Sequence, residues 1–189
     1  MRCLLGFLVL AACAEAGKTG GKPTDASTKM DGSLPGDATK PIDAPSSGVC
    51  TSNATCAAAT DLGSVSGDTG NGMVTASGYQ AAWYKLRVTE DDSGPFGVQM
   101  NLTAQLTSPG SENYDVFTYV NGGSDVIECN TPTGTASTSG TIDTLAIHWG
   151  EGGTFSNGND DSRTVSIEIR PIGTTCSAGQ PWQLTVRGD

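Results

Sequence analysis

The densest run of oxygen ligands in the chain is Asn157-Gly158-Asn159-Asp160-Asp161, set in a glycine-rich stretch. Hard oxygen ligands at close spacing are what calcium takes. With Glu168 added, the spacing almost imitates an EF-hand loop, but Ser162 stands where that loop needs glycine, and the residues after it alternate as a strand. Seven extended steps at about 3.3 Å each carry Glu168 roughly 23 Å from Asp161. The expectation is therefore either a surface calcium site on Asn157, Asn159, Asp160, Asp161 and loop carbonyls, or a solvated hairpin turn, with no other cofactor indicated.

Nucleophilic chemistry finds little to work with. His148 is the one histidine and so the one imidazole base for a Ser-His-Asp arrangement, yet no Gly-x-Ser-x-Gly elbow accompanies it. Carboxylates are plentiful, but nothing singles out two of them for glycoside hydrolysis. The reading is a chain that is not an enzyme, with a hydrolase as the rival. Trp83 falls out of phase with Tyr84, Leu86 and Val88, which places it either exposed on an outward face or covered by a neighbouring loop or the other sheet. Exposed aromatic rings stack on sugars and anchor protein interfaces.

Six cysteines divide by position. Leu10-Ala11-Ala12-Cys13 follows one positive charge, Arg2, and an apolar run, Leu4 to Leu10, of the length of an export signal and too short to span a bilayer. It resembles the bacterial lipobox, in which the cysteine thiol takes a diacylglyceryl group and becomes the first residue. That resemblance implies a signal peptide over 1–12, membrane lipid attached through Cys13, and, with Ala14 rather than Asp following, sorting to an outer membrane. An ordinary cleavage site at Ala14-Glu15-Ala16 is the alternative. Cys50, Cys56, Cys129 and Cys176 remain, an even number that reads as disulfides in an exported chain. Four cysteines allow three pairings. Cys50 with Cys56 and Cys129 with Cys176 is the one favoured here, zinc being disfavoured by the Cys-x5-Cys spacing.

Residues 13–48 are polar, with scattered Pro, Gly, Ser, Asp and Lys and almost nothing apolar, the composition of a disordered linker. Residues 49–189 are long enough for one domain with its own core. They hold fifteen acids against five bases, so the net charge of −10 resides there. Nucleic acid is excluded as a partner by that field, and an anionic lipid surface is disfavoured.

Strict alternation then marks the strands. Phe96, Val98, Met100, Leu102, Ala104 and Leu106 share one face, as do Tyr84, Leu86 and Val88, then Leu145, Ile147 and Trp149, then Val165, Ile167 and Ile169, then Trp182, Leu184 and Val186. Met73 to Ala76, Tyr114 to Val120 and Val126 to Glu128 complete about eight strands, divided by Gly, Asn, Asp and Ser clusters that read as turns. Thr55 to Asp61 is the one candidate helix. The fold class is all-β, an antiparallel β-sandwich of jelly-roll type.

The segments Asp61 to Gly67, Ala82 to Leu86, Asn113 to Phe117, Arg163 to Ile169 and Trp182 to Val186 together resemble the bacterial pre-peptidase C-terminal domain over most of residues 57–187. That family's usual Asp-x-Asp stands here as Asn113-Tyr114-Asp115. The resemblance implies a β-sandwich accessory module of a secreted protein, some members binding collagen or calcium. Three functions are carried forward: a tethered surface module that binds a glycan or an envelope protein, a structural component of an envelope assembly, and a hydrolase.

Overall fold

The computed structural model describes residues 48–49, 52, 54–91, 96–153, 158–176 and 179–188. The expected signal peptide, Cys13, nearly all of the linker, Cys50 and Asn157 lie outside them. In chain order the strands are β1 (Gly48–Val49), β2 (Thr60–Ser66), β3 (Met73–Gly78), β4 (Ala82–Thr89), β5 (Met100–Thr107), β6 (Tyr114–Tyr119), β7 (Gly134–Ala136), β8 (Ile142–Trp149), β9 (Arg163–Pro171), β10 (Thr175–Cys176) and β11 (Trp182–Gly188). The expected helix over Thr55 to Asp61 is a single 3₁₀ turn, Cys56–Ala58, and the chain is already in β2 from Thr60.

Two sheets carry the fold. One has the order β3-β11-β5-β8 and the other β2-β4-β9-β6-β7, with β1 and β10 forming a separate two-residue pair. Most connections cross from one sheet to the other, so the inward faces meet over one core and the protein is a β-sandwich. All neighbours are antiparallel except β2 and β4, which run parallel with a shift between Asp61 and Ser64. Gly63 takes φ +93° at that shift and donates its N–H to Asp61 Oδ1 at 2.8 Å. A residue in this left-handed region is least strained as glycine.

The core follows the period-two reading. Met100, Leu102, Ala104 and Leu106 on β5 face Leu184 and Val186 on β11 and Leu145, Ile147 and Trp149 on β8, all buried. Opposite them lie Leu86, Val88, Val165, Ile167, Ile169, Tyr114 and Val116. Full burial of each large apolar side chain contributes about 1.5–3 kcal/mol. Trp182 is the bulkiest, with its Nε1 donating to the Gln80 carbonyl at 3.0 Å and its ring edge-on to Tyr84.

Two expectations about strands need correction, and one strand was not expected. Phe96 and Val98 are exposed, because the strand they would extend starts only at Met100. Val126 to Glu128 is not a strand: Val126 and Ile127 project from a loop, 62% and 50% exposed. The strand after β6 is instead β7, whose Gly-Thr-Ala sequence carries no apolar alternation.

Candidate functional site

The outer face of the five-stranded sheet collects the side chains out of phase with the core. Register across β4, β9 and β6 aligns Trp83 with Glu168 and Glu168 with Phe117 in one row. Lys85, Ser166 and Tyr119 form the adjoining row, and Arg170 and Asp115 align on the other side. Trp83 reaches over β9 and packs on Tyr119, ring centroids 5.1 Å apart and tilted by 32°. The indole is thus half-buried, with part of its surface still in solvent.

Arg170 and Glu168 lock this patch together. The Arg170 guanidinium carbon sits 4.1 Å from the Phe117 ring centroid, a cation–π contact. Its Nη2 donates to Glu168 Oε2 at 2.5 Å and to the Tyr119 hydroxyl oxygen at 3.0 Å, while the Tyr119 hydroxyl donates to the same Glu168 oxygen at 2.5 Å. Burial, and then the hydrogen bond and charge of Glu168, push the Tyr119 hydroxyl far above the ordinary tyrosine value. The hydrogen bond that Arg170 donates to Glu168 likewise raises the guanidinium. The Tyr119 hydroxyl therefore stays protonated and Arg170 stays cationic through the physiological range.

A loop from Val120 to Thr133 folds over part of this face. Its anchors are Asp125, which accepts from Arg87 Nη1 at 2.5 Å and from the Thr164 N–H at 3.1 Å, and Cys129, which is disulfide-bonded to Cys56. The Arg87 hydrogen bond holds the Asp125 carboxyl below the usual range. Glu128 Oε1 accepts the N–H groups of Cys129, Asn130 and Thr131 at 3.0, 2.6 and 3.2 Å, and the Asn130 bond leads in lowering its carboxyl. Cys56 Sγ rests 3.6 Å from Ser166 Oγ, which explains why Ser166 has no exposed surface although it points away from the core.

The favoured disulfide pairing is therefore overturned. Cys56 bonds Cys129 across 73 residues and not its near neighbour Cys50, because the 3₁₀ turn and the long loop both fold onto the outer face of β9. Cys176 is disulfide-bonded too, to a cysteine outside the described residues, and accepts a hydrogen bond from the Tyr114 hydroxyl at 3.0 Å.

The acidic loop lies elsewhere. Asp161 is buried; its carboxylate pairs with Arg163 Nη2 at 3.2 Å and accepts the Glu151 N–H at 2.8 Å, and its carbonyl accepts Trp149 Nε1 at 2.8 Å. Gly150, at φ +80°, lies so close that any Cβ there would sit 2.5 Å from Asp161 Oδ2. Asp160 Oδ1 accepts the Ser162 N–H at 2.8 Å, and Ser162 heads the causes that hold this carboxyl low. Asn159 is exposed. These hydrogen bonds close the β8–β9 connection, and among the described residues no three His, Cys, Asp or Glu side chains gather as a metal set. Glu168 stands away from this loop, as the strand spacing required, and belongs to the Trp83 patch. Trp83 and the acidic loop occupy opposite ends of β4, five residues or about 17 Å apart, so they form no common patch. His148 is exposed on the outer face of the other sheet, opposite Asn101.

The sequence reading missed Phe117, Tyr119, Glu168 and Arg170 as members of the patch around Trp83. Their outward phase was visible, in that Phe117 alternates with Val116 and the pair Glu168 and Arg170 with Ile167 and Ile169. The cross-strand register that joins them was not.

No protein-family model matches the chain, and no curated protein matches it. Among solved structures, it is similar to the pre-peptidase C-terminal domain of collagenase from Bacillus anthracis, at 7% identity and a TM-score of 0.39, over 68% of this chain and 95% of that one.

Proposed function

We propose that this chain is an exported, non-catalytic binding module, anchored in an outer membrane through lipid on Cys13 and presenting the outer face of its five-stranded sheet to a glycan of the cell surface. The observation that carries the binding role is the half-exposed Trp83, braced on Tyr119 beside an Arg170–Glu168 pair that is already locked in place. Side chains fixed before a ligand arrives lose little entropy on binding, and a ring platform next to a paired donor and acceptor suits a sugar face and its hydroxyls. The lipobox-like Leu10 to Cys13 and the polar stretch after it support the anchor and spacer.

The test is capture of surface glycans by the full chain in detergent micelles, compared with Trp83→Ala. Capture by the parent and its loss in the variant are expected; equal capture by both, or none by the parent, overturns the reading. A structural role in an envelope assembly is the second reading, favoured by Val126 and Ile127, which project between the Asp125 and Cys129 anchors. It requires stoichiometric co-purification with another envelope protein that Val126→Ser with Ile127→Ser abolishes.

A further inference from the structure

We infer that a pocket at one end of the five-stranded sheet, where β6 begins and β9 ends, binds an aliphatic ammonium ion. Tyr114 and Pro171 face each other there in the ladder. The pocket holds about 240 Å³, with Glu112, Asn113 and Tyr114 lining one side and Pro171, Ile172 and Gly173 the other. The Ile172 N–H donates to the Asn113 carbonyl at 3.0 Å, which ties the two sides together one step beyond the strands. Drug-sized sites run to roughly 300–1,000 Å³, so this one suits a single short-chain ligand.

Acceptors outnumber donors around it. The Tyr114 hydroxyl has a single proton to give, and the Tyr79 carbonyl at 2.8 Å and Cys176 Sγ at 3.0 Å both stand within reach. The Glu112 carboxylate crowds the same hydroxyl: burial first, then the charge and hydrogen bond of Glu112, push it up to about 12. Glu112 Oε2 and Asn113 Oδ1 are buried and make no hydrogen bond among the described residues. Asn113 is fixed with that oxygen left over, because its Nδ2 donates to the Thr138 carbonyl at 2.6 Å. Glu112 has no ion-pair partner among the described residues, and no base lines the pocket. Arg170, two residues before Ile172, is engaged by Glu168 and Tyr119. A half-buried carboxylate without a cation attracts one strongly, since the protein around it screens less than water.

The complement to this set is one positive charge carrying several N–H donors. An ammonium group turns its donors freely about its stem and so serves acceptors from different residues, whereas a guanidinium is a planar fork matched to the two oxygens of one carboxylate. Pro171 and Ile172, the latter 60% exposed, offer apolar surface to the methylenes of the stem. A bare calcium ion gains nothing from that wall. It also needs about six to eight oxygen ligands, and Glu112 is the only carboxylate among the lining residues. The net charge of −10 favours a cationic ligand at long range as well.

Titration of the full chain in uncharged detergent micelles with pentylamine, with pentan-1-ol and with calcium, followed by amide chemical shifts, tests this. Saturable shifts at Asn113 and Ile172 with pentylamine alone are expected. Glu112→Gln, which keeps the shape and removes the charge, should weaken binding roughly tenfold (about 1.4 kcal/mol). Ile172→Ser, at an exposed position that leaves the core untouched, should weaken it too. Equally tight binding of Nα-acetyl-lysine amide supports the inference with a polypeptide side chain as the source of the ammonium group, and its exclusion supports it with a free amine as the source. Equal binding of pentan-1-ol, or of calcium at the same amides, overturns the ammonium ligand. Binding that survives Glu112→Gln but is lost in Trp83→Ala places the amine on the indole and overturns the pocket, as does the absence of any shift.

Discussion

Arg170 is seated on the Phe117 ring, 4.1 Å from its centroid, and from that seat holds Glu168 against the Tyr119 hydroxyl. Two neighbouring strands thus share one charged, aromatic unit, on which Trp83 rests from a third. The unit lies outside the core, so its rigidity comes from these contacts and from the stapled loop beside it.

Removal of the staple should loosen the loop and cost stability. Cys56→Ser with Cys129→Ser opens a link between residues 73 apart, and a loss of about 2–4 kcal/mol is expected from the added freedom of the unfolded chain. Urea unfolding of the double variant checks the magnitude, and increased hydrogen exchange over residues 121–130 checks the location.

The acidic loop should behave as structure. Asp161→Ala leaves the buried Arg163 guanidinium, 11% exposed, without its carboxylate, and a loss of about 3–5 kcal/mol is expected. Melting temperatures of parent and variant with and without millimolar calcium are the measurement, and the difference between them should be the same in both.

Acid titration should single out Asp115. Burial raises its carboxyl above the ordinary 3.8, with Asp143 adding and Arg170 opposing. The unfolded chain then releases the proton at lower pH than the folded one, so stability falls as pH climbs from about 3.8 through the folded value, and the loss persists above it. Asp115→Asn, which cannot ionise, should match the parent below pH 3.8 and gain on it at neutral pH. Denaturant unfolding at the two pH values gives the comparison.

The proposed anchor would carry a mass signature. Chain recovered from bacterial membranes should begin at Cys13 and carry an acyl increment, and Cys13→Ala should release the protein from the membrane fraction. Intact-mass spectrometry and fractionation read the two outcomes.

What could be read from the sequence follows from where the information lies. Leu145, Ile147 and Trp149, or Trp182, Leu184 and Val186, announce a strand with one buried face, because burial alone imposes period two. That same period cannot distinguish a parallel from an antiparallel neighbour, so the β2–β4 pairing left no mark. The β-branched pair Val126 and Ile127 imitates a strand, yet Asp125 and Cys129 pin it as a loop through partners far away in the chain. The site was half visible for a related reason. Outward phase identified Trp83, but its placement beside Glu168 and on Tyr119 depends on register among three strands and not on spacing within any one.

The most direct measurement of the central claim uses the indoles themselves. Trp149 and Trp182 are 7% and 1% exposed, which leaves Trp83 as the indole a surface ligand can reach. Tryptophan emission of the full chain, titrated with surface polysaccharide, should change saturably in the parent and stay flat in Trp83→Phe. Flat emission in the parent, or an equal change in the variant, would contradict a binding face built around Trp83.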